Sequence, residues 1–117
     1  MGDDKTKVLV VDDDPSLRLL CRVNLELEGY AVVEAGTIAE AEDGLDNGKV
    51  DVVLLDLHLG NEQGAMLIPK IEERGLVSSL ALLTGSPGSR VPKDAIVISK
   101  PFAIDDLTGT VRRLAST

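Results

Sequence analysis

The sequence predicts an α/β protein built on a doubly wound, five-stranded parallel sheet. Five short apolar runs recur along the 117 residues, and segments of helical periodicity lie between most of them. Such alternation predicts parallel strands with right-handed crossovers and helices on both faces of the sheet. Apolar residues make up 44% of the chain, enough for a folded core. We therefore expect one domain over residues 1–117.

The first strand and helix follow directly from local pattern. The run Lys7–Val11 is rich in valine, as expected for a strand that is covered on both faces. Residues 16–28 place apolar side chains at helical spacing, and Pro15 suits the first turn of that helix. Gly29 is expected to end the helix, and residues 30–34 to form the second strand.

The second helix has a predicted start and a predicted end. Thr37 is expected to cap it, with Glu40 three residues later completing a capping box. The helix should run to about Leu45, before a turn at residues 47–48. Residues 51–55 are the most apolar run and predict the third strand.

The second half of the chain continues the alternation, with one proline inside a helix and one short crossover. Pro69 is expected to remove a hydrogen bond from its helix and to bend it. Residues 84–94 contain two prolines and are about as short as a parallel crossover of roughly 10 to 12 residues allows. We therefore expect the fourth helix to be missing or reduced to a turn. The remaining elements are a loop at 58–64, a helix at about 65–74, strands at 80–83 and 95–99, and a last helix at about 104–115.

Composition argues against several classes of function. The chain has 20 acidic and 12 basic residues and a net charge of -8, which argues against direct binding to nucleic acid. No apolar stretch approaches the length of a membrane span, and the first residues do not resemble a signal peptide. Cys21 is the one cysteine, which excludes an internal disulfide and predicts a small buried side chain. These features favour a cytoplasmic protein without membrane insertion.

Charged residues follow three of the predicted strands and point to a common site. Asp12 and Asp13 follow the first strand, Asp56 follows the third, and Lys100 follows the fifth. Ligands of such sheets bind beyond the carboxyl ends of the strands. Neighbouring carboxylates repel each other unless a cation binds, and oxygen ligands select Mg²⁺ or Mn²⁺. Asp56 could form an acyl phosphate whose charge Lys100 would offset, with a hydrogen bond from Thr84.

The sequence resembles the receiver domain of bacterial two-component response regulators, a CheY-like family, over essentially its whole length. The resemblance implies a flavodoxin-like strand order of 2-1-3-4-5. It also implies that Asp56 takes a phosphoryl group from a sensor histidine kinase or a histidine phosphotransfer protein. The segments that carry the resemblance are residues 8–15, 51–57, 82–85 and 100–102.

The resemblance also assigns roles to individual residues. It implies that Asp13 and Asp56 bind Mg²⁺ directly, that Asp12 contributes through water, and that the backbone carbonyl of His58 completes the protein ligands. Asp14 matches a position that is not a ligand. Thr84 and Lys100 are implied to hold the oxygens of the phosphoryl group.

The resemblance implies a phosphoacceptor that switches the binding of a downstream protein, not an enzyme. Homodimerisation is left open. Val97 stands where most receivers carry an aromatic side chain that moves on activation. We therefore expect residues 85–94 to be a mobile loop that acts as the switch in place of the aromatic side chain. The chain also resembles a subgroup of stand-alone receivers that lack a proper fourth helix.

Two other functions remain open at this point. Asp12 and Asp14 also match the Asp-x-Asp of haloacid-dehalogenase-like phosphohydrolases, in which the first Asp is the nucleophile. Against this, 117 residues leave no room for a cap domain. The other alternative is a degenerate receiver that binds a partner without being phosphorylated.

Overall fold

The structure is a computed structural model of the chain and describes residues 5–85 and 95–116. Its strands and α-helices alternate through the first half of the chain, as the sequence predicts. In chain order the elements are β1 (Lys7–Val11), α1 (Pro15–Leu27), β2 (Ala31–Ala35), α2 (Ile38–Asp46), β3 (Val52–Asp56), β4 (His58–Leu59), β5 (Glu62–Gln63), α3 (Ile68–Glu73), β6 (Leu80–Thr84), β7 (Ile96–Ser99) and α4 (Ile104–Ala115).

Five strands form one parallel sheet in the order β2-β1-β3-β6-β7. This is the predicted order 2-1-3-4-5, because β6 and β7 are the fourth and fifth strands of this sheet. The strands β4 and β5 form a separate antiparallel ribbon. The parallel arrangement brings the carboxyl ends of β1, β3, β6 and β7 to one edge of the sheet.

Among the described residues, two helices cover each face of the sheet. Leu9 and Leu55 point to the face covered by α2 and α3, whereas Val8 and Leu54 point to the face covered by α1 and α4. All five residues of β3 and of β6 are buried. Burial on both faces explains why these strands have continuous apolar sequences instead of alternating ones.

The helix α1 begins and ends as the sequence predicts. The Asp14 side chain caps it, Pro15 occupies its first turn, and Gly29 follows with a positive φ of 97°. Cys21 faces the core and is fully buried. Burial, together with the nearby Asp12 carboxylate, raises the pKa of the Cys21 thiol to about 11, so the thiol stays protonated at neutral pH.

The predicted capping box of α2 is confirmed in one half and differs in the other. Thr37 Oγ1 accepts a hydrogen bond from the Glu40 backbone N–H at 3.1 Å, as predicted. The Glu40 side chain, however, accepts from the backbone N–H of Gly36 at 2.7 Å, one residue before the cap. The reciprocal bond therefore secures the chain as it leaves β2.

The region after β3 differs most from prediction. Residues 58–64, predicted as a loop, contain the β4–β5 ribbon, and the predicted helix at 65–74 begins as a 3-10 turn over Gly64–Leu67. Pro69 therefore lies in the first turn of α3 and not in the interior of a helix, where the prediction placed it. Proline is tolerated in a first turn, because the N–H groups there have no partner within the α-helix.

Two predictions concern residues outside the described part of the chain. The loss of the fourth helix and the mobile loop at 85–94 both depend on residues 86–94, which the structure does not describe. Over residues 5–85 and 95–116, no helix combines the length and the apolar character that crossing a bilayer requires.

Candidate phosphoacceptor and metal site

Four of the predicted site residues stand at strand ends on one edge of the sheet. Asp56 is the last residue of β3 and Thr84 the last of β6, while Asp12 and Lys100 directly follow β1 and β7. Asp56 pairs in register with Leu83, so the third and fourth strands end side by side. The structure thus brings together the residues that the sequence placed at separate strand ends.

Lys100 joins the two buried carboxylates of the site. Its Nζ lies 2.6 Å from Asp12 Oδ2 and 3.0 Å from Asp56 Oδ2. Asp12 is fully buried and Asp56 is only 4% exposed. The backbone N–H of Lys100 donates to the carbonyl of Thr84 at 2.7 Å, which fixes the lysine beside the end of β6.

The environment shifts the pKa values of Asp12 and Lys100 upward for different reasons. Burial raises the pKa of the Asp12 carboxyl, and it outweighs the hydrogen bonds from Lys100 and from the Asp14 backbone that lower it. Burial alone lowers the pKa of Lys100, but its hydrogen bonds to Asp12 and Asp56, together with the negative charges of both carboxylates, raise it more. Lys100 therefore remains a cation over the neutral range.

Asp13 is exposed and is held by the ribbon that follows β3. Its Oδ2 accepts a hydrogen bond from the backbone N–H of Gly60 at 3.0 Å. Gly60 has a positive φ of 59°, a conformation that proline cannot adopt, and proline also has no N–H to donate. A proline at position 60 could meet neither requirement, so it could not hold Asp13 in this way.

Asp56 is held by the backbone on the other side of the pocket. Its Oδ1 accepts from the backbone N–H of His58 at 2.9 Å, while the His58 side chain is exposed. Gly64 packs directly against Asp56, because a Cβ on Gly64 would lie 1.9 Å from the Asp56 carbonyl oxygen. Sequence reasoning gave Gly60 and Gly64 no role at the site, and their one signal was their nearness in sequence to Asp56.

The donor atoms of the site suit a hard divalent cation. One carboxylate oxygen each from Asp12, Asp13 and Asp56 can be chosen so that all three lie within 4.8 Å of one another. Lys100 neutralises only one of these three negative charges. An all-oxygen cluster with excess negative charge fits Mg²⁺ or Mn²⁺ better than a softer metal.

The Lys100 contacts predict a large effect on stability. We expect Lys100→Met to lower the free energy of unfolding of the metal-free protein at pH 7 by about 2 kcal/mol, because two buried carboxylates lose their counter-ion. Removing one partner of a fully buried ion pair costs roughly 3–5 kcal/mol. We expect a smaller loss here, since 24% of the Lys100 side chain is exposed. Urea unfolding in EDTA, followed by circular dichroism, measures the difference.

The decrease in the free energy of unfolding caused by Lys100→Met should also depend on pH. A carboxyl whose pKa is raised on folding favours the folded state at low pH and loses that contribution as pH rises. The loss in Lys100→Met should therefore shrink between pH 7 and pH 4. Lys49→Met is the control, because Lys49 is 88% exposed and its ion pair with Asp51 spans 3.9 Å. Equal losses in both variants would contradict the pairing of Lys100 with Asp12 and Asp56.

Comparison with known proteins supplies the family context. The model of the response regulator receiver domain matches residues 8–112. The chain is 30% identical to the transcriptional regulatory protein BasR of Escherichia coli and 32% identical to KdpE of Mycobacterium tuberculosis, in each case over 92% of its length. It covers 51% and 50% of those proteins, and 19% of a putative transcriptional regulator of Haloferax volcanii to which it is 40% identical.

Solved structures agree with the fold. A response regulator receiver protein from Sinorhizobium medicae superposes with a TM-score of 0.86 at 22% identity, and the alignment covers 97% of each chain. A CheY-like receiver domain protein from Methanospirillum hungatei gives a TM-score of 0.84 at 25% identity, over 97% of this chain and 95% of that one. The predicted CheY-like sheet is thereby confirmed.

Proposed function

This chain belongs to the response regulator receiver domain family, and we propose that it accepts a phosphoryl group on Asp56 in a two-component signalling pathway. One observation carries the proposal. The Asp56 carboxylate stands at the carboxyl end of β3, bonded to the Lys100 ammonium and within the oxygen cluster formed with Asp12 and Asp13. The carboxylate supplies the nucleophilic oxygen that phosphoryl transfer requires, and the neighbouring Lys100 ammonium supplies the positive charge.

The proposed reaction is a single displacement at phosphorus. A carboxylate oxygen of Asp56 forms a bond to the phosphorus of a phosphohistidine, and the phosphorus–nitrogen bond breaks. The electron pair of that bond stays on the imidazole nitrogen, which takes a proton from solvent. The product is an acyl phosphate on Asp56, whose new charge Lys100 offsets and whose oxygens Thr84 and Lys100 hold.

The proposal includes a divalent cation bound by the acidic cluster. Asp13 and Asp56 would bind Mg²⁺ directly, with Asp12 contributing through water and His58 through its backbone carbonyl. Mn²⁺ fits the same oxygen ligands. When bound, the cation would neutralise negative charge on the phosphoryl oxygens. The protein receives the phosphoryl group as a substrate of the transfer and is not itself an enzyme with turnover.

A protein phosphodonor is supported by the surface of α1, which begins beside the pocket. Four large apolar side chains on this helix are between 43% and 79% exposed. We propose that a sensor histidine kinase or histidine phosphotransfer protein docks here, that phosphorylation alters binding to a downstream protein, and that the protein is cytoplasmic. The four exposed side chains are Leu19, Leu20, Val23 and Leu27.

Phosphoramidate tests the proposal because, like phosphohistidine, it carries a phosphorus–nitrogen bond. We expect incubation with phosphoramidate and Mg²⁺ to place one phosphoryl group on the peptide that contains Asp56, located by mass spectrometry, and EDTA to prevent it. Label on Asp12 would instead support a phosphohydrolase. No label under these conditions would support a receiver that acts without phosphorylation.

A further inference from the structure

The turn between β1 and α1 is held by an arginine that lies outside the cluster of carboxylates and lysine. Arg18 Nη1 donates to the backbone carbonyl of Asp12 at 2.6 Å, and Arg18 Nε donates to Glu34 Oε1 at 3.1 Å. The guanidinium also packs over Gly36, where a Cβ would lie 2.9 Å from Arg18 Nη1. The Arg18 side chain is only 18% exposed.

The contact from Arg18 to the Asp12 carbonyl restrains the backbone next to Asp13. The Asp12 carbonyl belongs to the peptide group that joins Asp12 to Asp13. Because a peptide group is planar, fixing its oxygen restricts ψ of Asp12 and φ of Asp13 together. The direction of the Asp13 carboxylate relative to Asp56 depends on these two angles.

The same peptide segment is anchored on its other side. The backbone N–H of Asp12 donates to the carbonyl of Ala35 at 3.0 Å, at the end of β2. Glu34, also in β2, accepts from both Arg18 and Arg22. The Asp12–Asp13 segment is therefore tied to the end of β2 twice, by its own backbone bond to Ala35 and, through Arg18, by the ion pair with Glu34.

We propose that Arg18 is a positioning residue for the divalent-cation site, acting through the Asp12–Asp13 peptide. This inference rests on the proposed function, since it assumes that Asp13 and Asp56 bind the cation. Arg18 bonds to the Asp12 backbone and not to any of the three carboxylates in the described contacts. Residues that orient metal ligands typically change metal affinity by about 10- to 100-fold when mutated.

The test compares Arg18→Gln with Arg22→Gln. Both variants lose an arginine of α1 that pairs with Glu34, but only Arg18 bonds to the Asp12 carbonyl. We expect the dissociation constant for Mg²⁺, measured by titration calorimetry, to rise about tenfold in Arg18→Gln. In Arg22→Gln it should stay within twofold of wild type. The Mg²⁺ concentration that half-saturates the rate of phosphorylation by phosphoramidate should shift in parallel.

A purely structural role would give a different result. It would lower the melting temperature of both variants and leave the Mg²⁺ dissociation constant of each folded protein unchanged, which would overturn the proposal. If Arg18→Gln does not fold, Arg18→Lys decides, because lysine keeps the charge but cannot reproduce the two-pronged contact. We then expect about a threefold rise, and a value equal to wild type would overturn the proposal. If wild-type protein neither binds Mg²⁺ nor takes up phosphate, the proposed function fails instead.

Discussion

Asp56→Asn should abolish phosphorylation by phosphoramidate, because an amide oxygen lacks the charge and the nucleophilicity that form an acyl phosphate. We expect no covalent phosphate by mass spectrometry under conditions that label wild type fully. The fold should survive, since asparagine keeps the shape of the side chain and an oxygen that can accept from the His58 N–H. The increase in melting temperature produced by millimolar Mg²⁺ should also shrink, because a charged ligand is lost.

Asp14→Asn is the matched control for this prediction. Asp14 lies two residues from Asp12 in sequence, but its side chain caps α1 by accepting from the backbone N–H groups of Ser16 and Leu17. Asparagine caps helices about as well as aspartate. Asp14→Asn should therefore be labelled on Asp56 like wild type. Labelled Asp56→Asn protein would show that another residue accepts the phosphate.

The main sheet and the buried part of the site were predictable from the sequence, and one physical reason covers both. A parallel strand buried on both faces is a continuous apolar run, and its end is marked by the first charged residue. Asp12 and Asp56 each follow such a run, and Lys100 follows the short apolar run of the partly buried edge strand β7, so their strand assignments also placed them at one edge of the sheet. The prediction succeeded because it depended on strand ends and not on helix boundaries.

The surroundings of the site were not predictable in the same way. The β4–β5 ribbon has two residues in each strand, too few for a periodic pattern to appear. The bond from Gly60 to Asp13 joins residues 47 positions apart and depends on the path of that ribbon. Arg18 looked like an ordinary polar residue of an amphipathic helix, because only the fold places its guanidinium beside the Asp12 carbonyl.

The contact between Gly64 and Asp56 predicts the second large effect. We expect Gly64→Ala to lower the free energy of unfolding by about 3 kcal/mol or more, at or above the usual range for overpacking. The added Cβ would lie 1.9 Å from the carbonyl oxygen of Asp56, a backbone atom that cannot rotate away. To relieve this clash, either the end of β3 or the backbone around Gly64 must move. The Gly64 N–H donates to the Leu57 carbonyl at 2.9 Å, so movement there would also strain this hydrogen bond.

Gly109→Ala provides the control with the same chemical change and the opposite expected sign. Gly109 lies inside α4, and a Cβ there would have no heavy atom within 4 Å apart from its chain neighbours and the backbone of its own helix. Alanine favours the helix over glycine by about 1 kcal/mol, so Gly109→Ala should be more stable than wild type. Urea unfolding of the two variants measures both effects. Equal stability of Gly64→Ala and wild type would contradict the close packing of Gly64 on Asp56, because no flexible side chain stands between them to absorb the added methyl group.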